Sequence, residues 1–287
     1  MAQQHSAARL AVLTAVTMVA FAANSWLCRL ALSRTPVDPA TFTSVRIASG
    51  ALVLALIVAR ARPRAADRGN WISAAALFAY AAAFSFAYRS LTAGTGALIL
   101  FGAVQATMIA WDVLNGARLR LMQLLGLALA LAGLVGLVLP GLAAPPLAGS
   151  LLMAAAGIAW GAYSLRGRGA TEPARVTAGN FARAVPFALA LSIATLGSAT
   201  LDTIGLAFAI ASGAITSGLG YAIWYSVLPS LKPTTAATVQ LSVPVIAAIG
   251  GVAFMGETLT LRLVIASAAI LGGIALVIRA SGARASR

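Results

Sequence analysis

Apolar residues run through this chain in long, nearly unbroken blocks, and the polar positions fall between the blocks rather than alternating within them. Each block approaches the roughly 20 residues an α-helix needs to cross a bilayer, well beyond the length of a strand. The blocks predict ten helices, at Leu10–Leu32, Ala40–Ala59, Ile72–Leu91, Ala93–Val113, Leu121–Leu139, Leu147–Leu165, Val176–Leu196, Ile204–Leu228, Thr234–Met255 and Leu261–Ile278. Residues that stop helices stand between them: Arg62-Pro63-Arg64, Pro140-Gly141, Pro145-Pro146, Lys232-Pro233 and Gly256-Glu257. The expected fold class is an all-α polytopic membrane protein.

The pattern is also written twice. Phe84 to Gly133 lies over Trp224 to Gly273 at one offset, setting Ser90-Leu91, Thr95, Gly116 and Leu119 on Ser230-Leu231, Thr235, Gly256 and Leu259. Asp38-Pro39-Ala40 meets Glu172-Pro173-Ala174, and Phe21 to Arg29 lies over Trp160 to Arg168. The halves, residues 1–143 and 144–287, then hold five spans each. Because five is odd, the second copy must insert upside down. An inverted repeat is the expected architecture of a transporter that alternates access around a central site.

Composition and charge sharpen this picture. Hydrophobic residues make up 61% of the chain and charged residues 9%, with a mean hydropathy of +0.94; a soluble domain carries about a quarter charged residues. The net charge of +14 raises the possibility of nucleic-acid binding. The basic residues lie in short loops and form no stripe, so the expected partner is a lipid bilayer and no nucleic acid. Taken alternately, one set of loops receives Arg9, Arg60, Arg62, Arg64, Arg68, Arg118, Arg120, Arg166, Arg168, Lys232, Arg279, Arg284 and Arg287; the other receives Arg34 and Arg262, with Arg89 close by. By the positive-inside rule both termini are cytoplasmic, in a bacterial inner membrane. The run from Arg9 to Ala20-Phe21-Ala22-Ala23 has the form of a secretory signal. Its repeat partner Ala159–Ser164 lies mid-chain, so a retained first helix is expected.

Cys28 is the only cysteine and His5, in the N-terminal tail, the only histidine, which excludes an intramolecular disulfide, a cysteine-built metal site and histidine catalysis in the core. Asp38, Asp67, Asp112, Glu172, Asp202 and Glu257 all fall in loops or at span ends, with no carboxylate mid-membrane. No nucleophile–base pair, phosphate loop or metal cluster is visible, so neither enzyme nor cofactor nor metal is expected. The spans carry aromatic and amide groups instead. Tyr80, Phe84 and Tyr88 stand at i, i+4 and i+8 in the third span; Tyr221, Trp224 and Tyr225 stand in the eighth, with Trp224 aligned on Phe84. Such stripes commonly serve packing or interfacial belts. Here they reach the expected midplane and are related by the repeat, which suits an apolar or aromatic solute. Phe101 and Trp160 are further candidates.

Uncharged polar groups join them: Asn24 and Ser25, aligned with Tyr163 and Ser164, then Gln105, Ser217, Gln240 and Ser242. A buried amide is either an interhelical bond or part of a site. Arg46 and Arg183, inside the second and seventh spans, either meet a substrate carboxylate or serve the structure. Gly94, Gly96 and Gly102 in the fourth span, and Pro244, Gly250 and Gly251 in the ninth, weaken those helices and are candidate gates. Gly126, Gly133 and Gly136, with Gly272 and Gly273, read as close helix packing or a dimer face; the expected working unit is a monomer.

Val243-Pro244, then Gly256-Glu257-Thr258-Leu259, then Gly272-Gly273 resembles the second repeat of the drug/metabolite transporter superfamily, in its EamA-type branch. Trp160-Gly161 and Arg46 fit the same pattern, and the resemblance runs from about Leu10 to Arg279. The first half departs from it, with Ala117 opposite Glu257 and Val104 opposite Pro244. The aromatic content is similar to that of the YddG-type aromatic amino acid exporters. This resemblance implies ten helices in a basket-like arrangement, a central cavity lined by the first, third, fourth, sixth, eighth and ninth spans, and efflux of phenylalanine, tyrosine, tryptophan and related solutes. Two rivals stand beside it: a drug, nucleobase or nucleotide-sugar on the same fold, and a membrane scaffold subunit that transports nothing. The halves diverge at Gln105 against Val245, Tyr88 against Leu228 and Asn24 against Tyr163, where substrate choice is expected.

Overall fold

The computed structural model describes residues 7–59, 69–117, 119–141, 143–231 and 233–282. His5, Arg60, Arg62, Arg64, Asp67, Arg68, Arg118, Lys232, Arg284 and Arg287 lie outside the described residues. The apolar blocks form ten candidate membrane-spanning helices: Ala7–Arg34, Pro39–Ala59, Trp71–Tyr88, Ala93–Leu114, Leu121–Val138, Leu147–Arg166, Pro173–Ala194, Thr203–Ser230, Thr235–Met255 and Leu261–Ala280. We refer to them as the first to the tenth span. No strand occurs among the described residues. Large apolar side chains such as Leu52, Leu56, Ile72, Leu129, Ile193 and Ile265 point outward, as a lipid solvent requires.

Span boundaries follow from caps. The carboxylate of Asp38 accepts from the N–H groups of Ala40 and Thr41 at 2.9 Å each, ahead of Pro39 at the helix start. Asn70 and Thr92 accept from Ser73 and Thr95, and Asp202 accepts from Gly205 at 2.6 Å. Each satisfies donors that a helix N-terminus leaves open. Asp38 also accepts from the N–H of Thr200 at 2.9 Å, which ties the loop after the seventh span to the start of the second. Burial alone would raise this carboxyl, but these N–H groups and the Thr41 hydroxyl hold it below the ordinary carboxylate range.

Two spans are irregular. The eighth runs as α-helix over Thr203–Ala211, as π-helix over Ser212–Leu219, and as α-helix again over Gly220–Val227. The ninth is interrupted at Leu241, between Pro233–Gln240 and Ser242–Met255. Pro244 accounts for the break: it has no N–H for the carbonyl of Gln240, and its ring crowds that turn. The fifth span packs on the tenth, the second on the seventh, the fourth on the ninth, the sixth on the third and fourth, and the first on the eighth and ninth. Gly126 and Gly273 face each other so closely that a Cβ on either would meet the other's carbonyl. These glycines therefore form a close helix contact within the chain.

Candidate functional site

A cavity of about 440 Å³ lies between the spans, within the range of sites that enclose a small molecule. Trp160 is its hub. The indole stacks on Tyr163 at 5.2 Å and on Tyr221 at 5.4 Å between centroids, and it meets Tyr80 at 4.7 Å. Tyr80 continues to Phe84 at 5.4 Å, and Phe21 bridges Tyr221 and Trp224 at 5.6 and 6.1 Å. The rings thus form one connected surface of faces and edges, suited to flat or apolar matter.

Two polar clusters break this surface. In the first, the Tyr80 hydroxyl oxygen accepts from Arg46 Nη2 at 3.0 Å and from Asn24 Nδ2 at 3.3 Å. The other end of the Asn24 amide accepts from Ser212 at 2.7 Å and Thr216 at 3.2 Å, both in the π-helical segment. Arg46 is 2% exposed, with its guanidinium 5.2 Å from the Tyr80 ring centre and 4.9 Å from that of Phe84. In the second cluster the Tyr163 hydroxyl accepts from Asn180 at 3.4 Å and donates to Thr177 at 3.3 Å, while Thr177 donates to Tyr225 at 3.2 Å.

One end of the bundle is sealed. Gly256, at φ 68°, closes the ninth span in a left-handed turn, and the N–H of Glu257 returns to the carbonyl of Gly251 at 3.1 Å. That turn aims the Glu257 carboxylate at the N–H of Ala93, 2.9 Å away, and at Arg29 Nε, 3.3 Å away. Arg29 also donates to the carbonyls of Tyr88 and Arg89 at 3.0 and 3.1 Å. Trp26 donates to Ala247 at 2.9 Å with its ring against Gly250. The first, third, fourth and ninth spans are locked together here. At the other end the cavity reaches exposed Arg166, Gly167, Arg168 and Gly169. Arg166 donates to Ser73 and Asn70, and Arg168 pairs with Asp112 at 3.0 Å.

Asn24, Tyr80, Phe84, Phe101, Trp160, Tyr163, Tyr221, Trp224, Tyr225 and Gln240 all line the cavity. Tyr88 and Gln105 are not part of it. Tyr88 shares a face with Phe84 but sits a turn deeper in the sealed end, fully buried, with its hydroxyl donating to Ala93 at 3.2 Å. Gln105 faces a crevice shared with Leu127, Leu134 and Ile274 of the fifth and tenth spans. Among the candidate gates, Gly94 abuts Ala248, Gly102 faces Ile270, and Pro244 is buried at the break of the ninth span. The seventh span, through Val176, Thr177 and Asn180, is an additional wall. Phe21 is another addition, and the repeat marks it, because it aligns with Trp160.

Residues 147–279, the sixth to tenth spans, match the EamA-like transporter family. The chain is 54% identical over 280 residues to the uncharacterized protein PA1977 of Pseudomonas aeruginosa, across 97% of this chain and 98% of that one. A protein of known crystal structure shares the fold, with a TM-score of 0.66 at 19% identity over 95% of this chain and 98% of its own. Ten candidate spans around an aromatic cavity and this match to the second half lead to one conclusion: residues 147–279 form an EamA-like transporter domain, of the drug/metabolite transporter superfamily.

Proposed function

We propose that this protein exports small solutes with an aromatic or apolar body, aromatic amino acids among them, across the bacterial inner membrane. The observation that carries the reading is the cavity itself: ring-lined, sealed at the Glu257 end and reaching exposed residues at the Arg166 end. Such a chamber is one state of an alternating-access cycle. In this reading residues 1–143 and 144–287 are inverted repeats, both termini are cytoplasmic, and one chain suffices. The contacts of the fifth span with the tenth, the second with the seventh and the fourth with the ninth support it, since each unites equivalent spans of the two halves. Asn24, Tyr80, Phe84, Phe101, Trp160, Tyr163, Tyr221, Trp224, Tyr225 and Gln240 contact the solute. The break at Pro244 and the tight contacts at Gly94 and Gly250 are where the ninth span shifts against the fourth and first to open the sealed end, while Gly102, in ordinary contact with Ile270, lets the fourth span move against the tenth. Uptake of labelled phenylalanine, tyrosine and tryptophan into proteoliposomes tests the proposal. Saturable uptake, inhibited by the unlabelled aromatics, is expected; a rate equal to that of protein-free liposomes overturns it.

A further inference from the structure

We infer that the cavity selects its solute by a carboxylate, bound through the Tyr80 hydroxyl and balanced by Arg46, so that aryl carboxylates are preferred over their neutral and cationic counterparts. The inference rests on the export reading above and narrows it to a charge class.

Ser212 and Thr216 donate to the oxygen of the Asn24 amide, which leaves its NH₂ to donate to Tyr80. Arg46, with no acceptor of its own, donates to the same phenol oxygen. The oxygen of Tyr80 therefore accepts twice, and its proton remains to be given away. No acceptor for that proton is present among the described residues, and Tyr80 lines the cavity. A phenol polarised by a guanidinium is a strong donor, best matched by an anionic oxygen.

Charge gives the same answer independently. Arg46 is buried, its Nη1 has no hydrogen-bond partner among the described residues, and its Nη2 bonds the neutral hydroxyl of Tyr80. A cation removed from water without an anion is costly, and a carboxylate across the Tyr80 hydroxyl relieves that cost. Among the described residues no carboxylate lines the cavity. The described acids are committed elsewhere: Asp38 and Asp202 to helix starts, Asp112 to Arg168, Glu172 to Arg175 and Glu257 to Arg29. An ammonium group thus meets no charged acceptor among the described lining residues, only ring faces, hydroxyls and neutral amides such as that of Gln240, and Arg46 already covers the faces of Tyr80 and Phe84. At the mouth, Arg166 bonds neutral acceptors among the described residues, Ser73 and Asn70, which adds attraction for anions.

The test is equilibrium binding to the purified full-length protein with labelled 3-phenylpropionate, displaced by the unlabelled acid, by 3-phenylpropionamide and by 3-phenylpropylamine. The acid should displace at concentrations at least about tenfold below the amide or amine, the size expected for one hydrogen bond to a charged group. Tyr80→Phe should bring that ratio close to one, chiefly by weakening the acid; residual binding of the amide reports that the variant is folded. Equal displacement by amide or amine in the native chain, or a ratio that survives Tyr80→Phe, overturns the charge preference and leaves the export reading standing. Failure of all three compounds to bind overturns both.

Discussion

The Tyr80 wall and the Tyr163 wall of the cavity are each a phenol oriented by an asparagine, and they differ in what stands behind the phenol. Behind Tyr80 is the buried guanidinium of Arg46. Behind Tyr163 is the hydroxyl of Thr177, passing its own bond to Tyr225. Trp160 touches both phenols, at 4.7 and 5.2 Å. The same local device is therefore charged on one side and neutral on the other, with a shared aromatic platform between. A solute bound there is given a direction as well as a place.

Four variants test this contrast. Trp160→Ala removes the platform common to both walls, and transport of every aromatic solute should fall about 100-fold, since losing a partly buried indole that stacks on several rings costs about 3 kcal/mol; the initial rate of uptake into proteoliposomes measures it. Arg46→Met keeps volume and discards charge. Uptake of carboxylates should fall at least about tenfold, while the thermal midpoint in detergent stays level or rises, because an unpaired buried cation burdens the fold. A lowered midpoint would instead make Arg46 a structural group. Thr177→Val loosens only the neutral wall. It should slow uptake by at least roughly fivefold, since both neutral bonds of the Thr177 hydroxyl are lost, with the ratio of acid to amide affinity unchanged. The smallest effect belongs to Asp38→Asn, remote from both walls. The Asp38 carboxyl is held below its ordinary value in the fold, so its contribution is present above the unfolded value near 3.8 and is lost as pH falls through the folded one. The native midpoint should therefore drop on acidification below about pH 4, more steeply than that of the variant, with solute preference the same in both.

The spans were readable because the bilayer demands long apolar blocks, and the third and eighth were readable as aromatic stripes because i, i+4 spacing keeps one face. Phase and depth were harder to read. In the fourth span the cavity stripe is Leu100, Phe101, Val104 and Met108. Gln105, one residue on, is turned about 100° away toward the fifth and tenth spans, and polarity alone does not reveal that turn. Tyr88 has the right phase but the wrong depth, at the level where Arg29 and Glu257 seal the bundle. Arg46 shows the opposite limit. Its place in the second span is plain from the chain, but its position behind a ring of the third depends on packing that no spacing encodes.

The π-helical stretch of the eighth span has a consequence for how that wall is built. Its hydrogen bonds close on the fifth residue rather than the fourth, so the span changes angular register between Ser212 and Leu219. At the start of the segment, Gly213 lies hard against the carbonyl of Arg46 in the second span; beyond its end, Tyr221, Trp224 and Tyr225 face the chamber. The segment works as a phase converter between two neighbours that an unbroken α-helix would not satisfy together. Rewinding it would swing the three rings about the span axis by about 100° for each residue taken up. The placement of the aromatic wall thus depends on the register of this one segment as well as on the packing of the span.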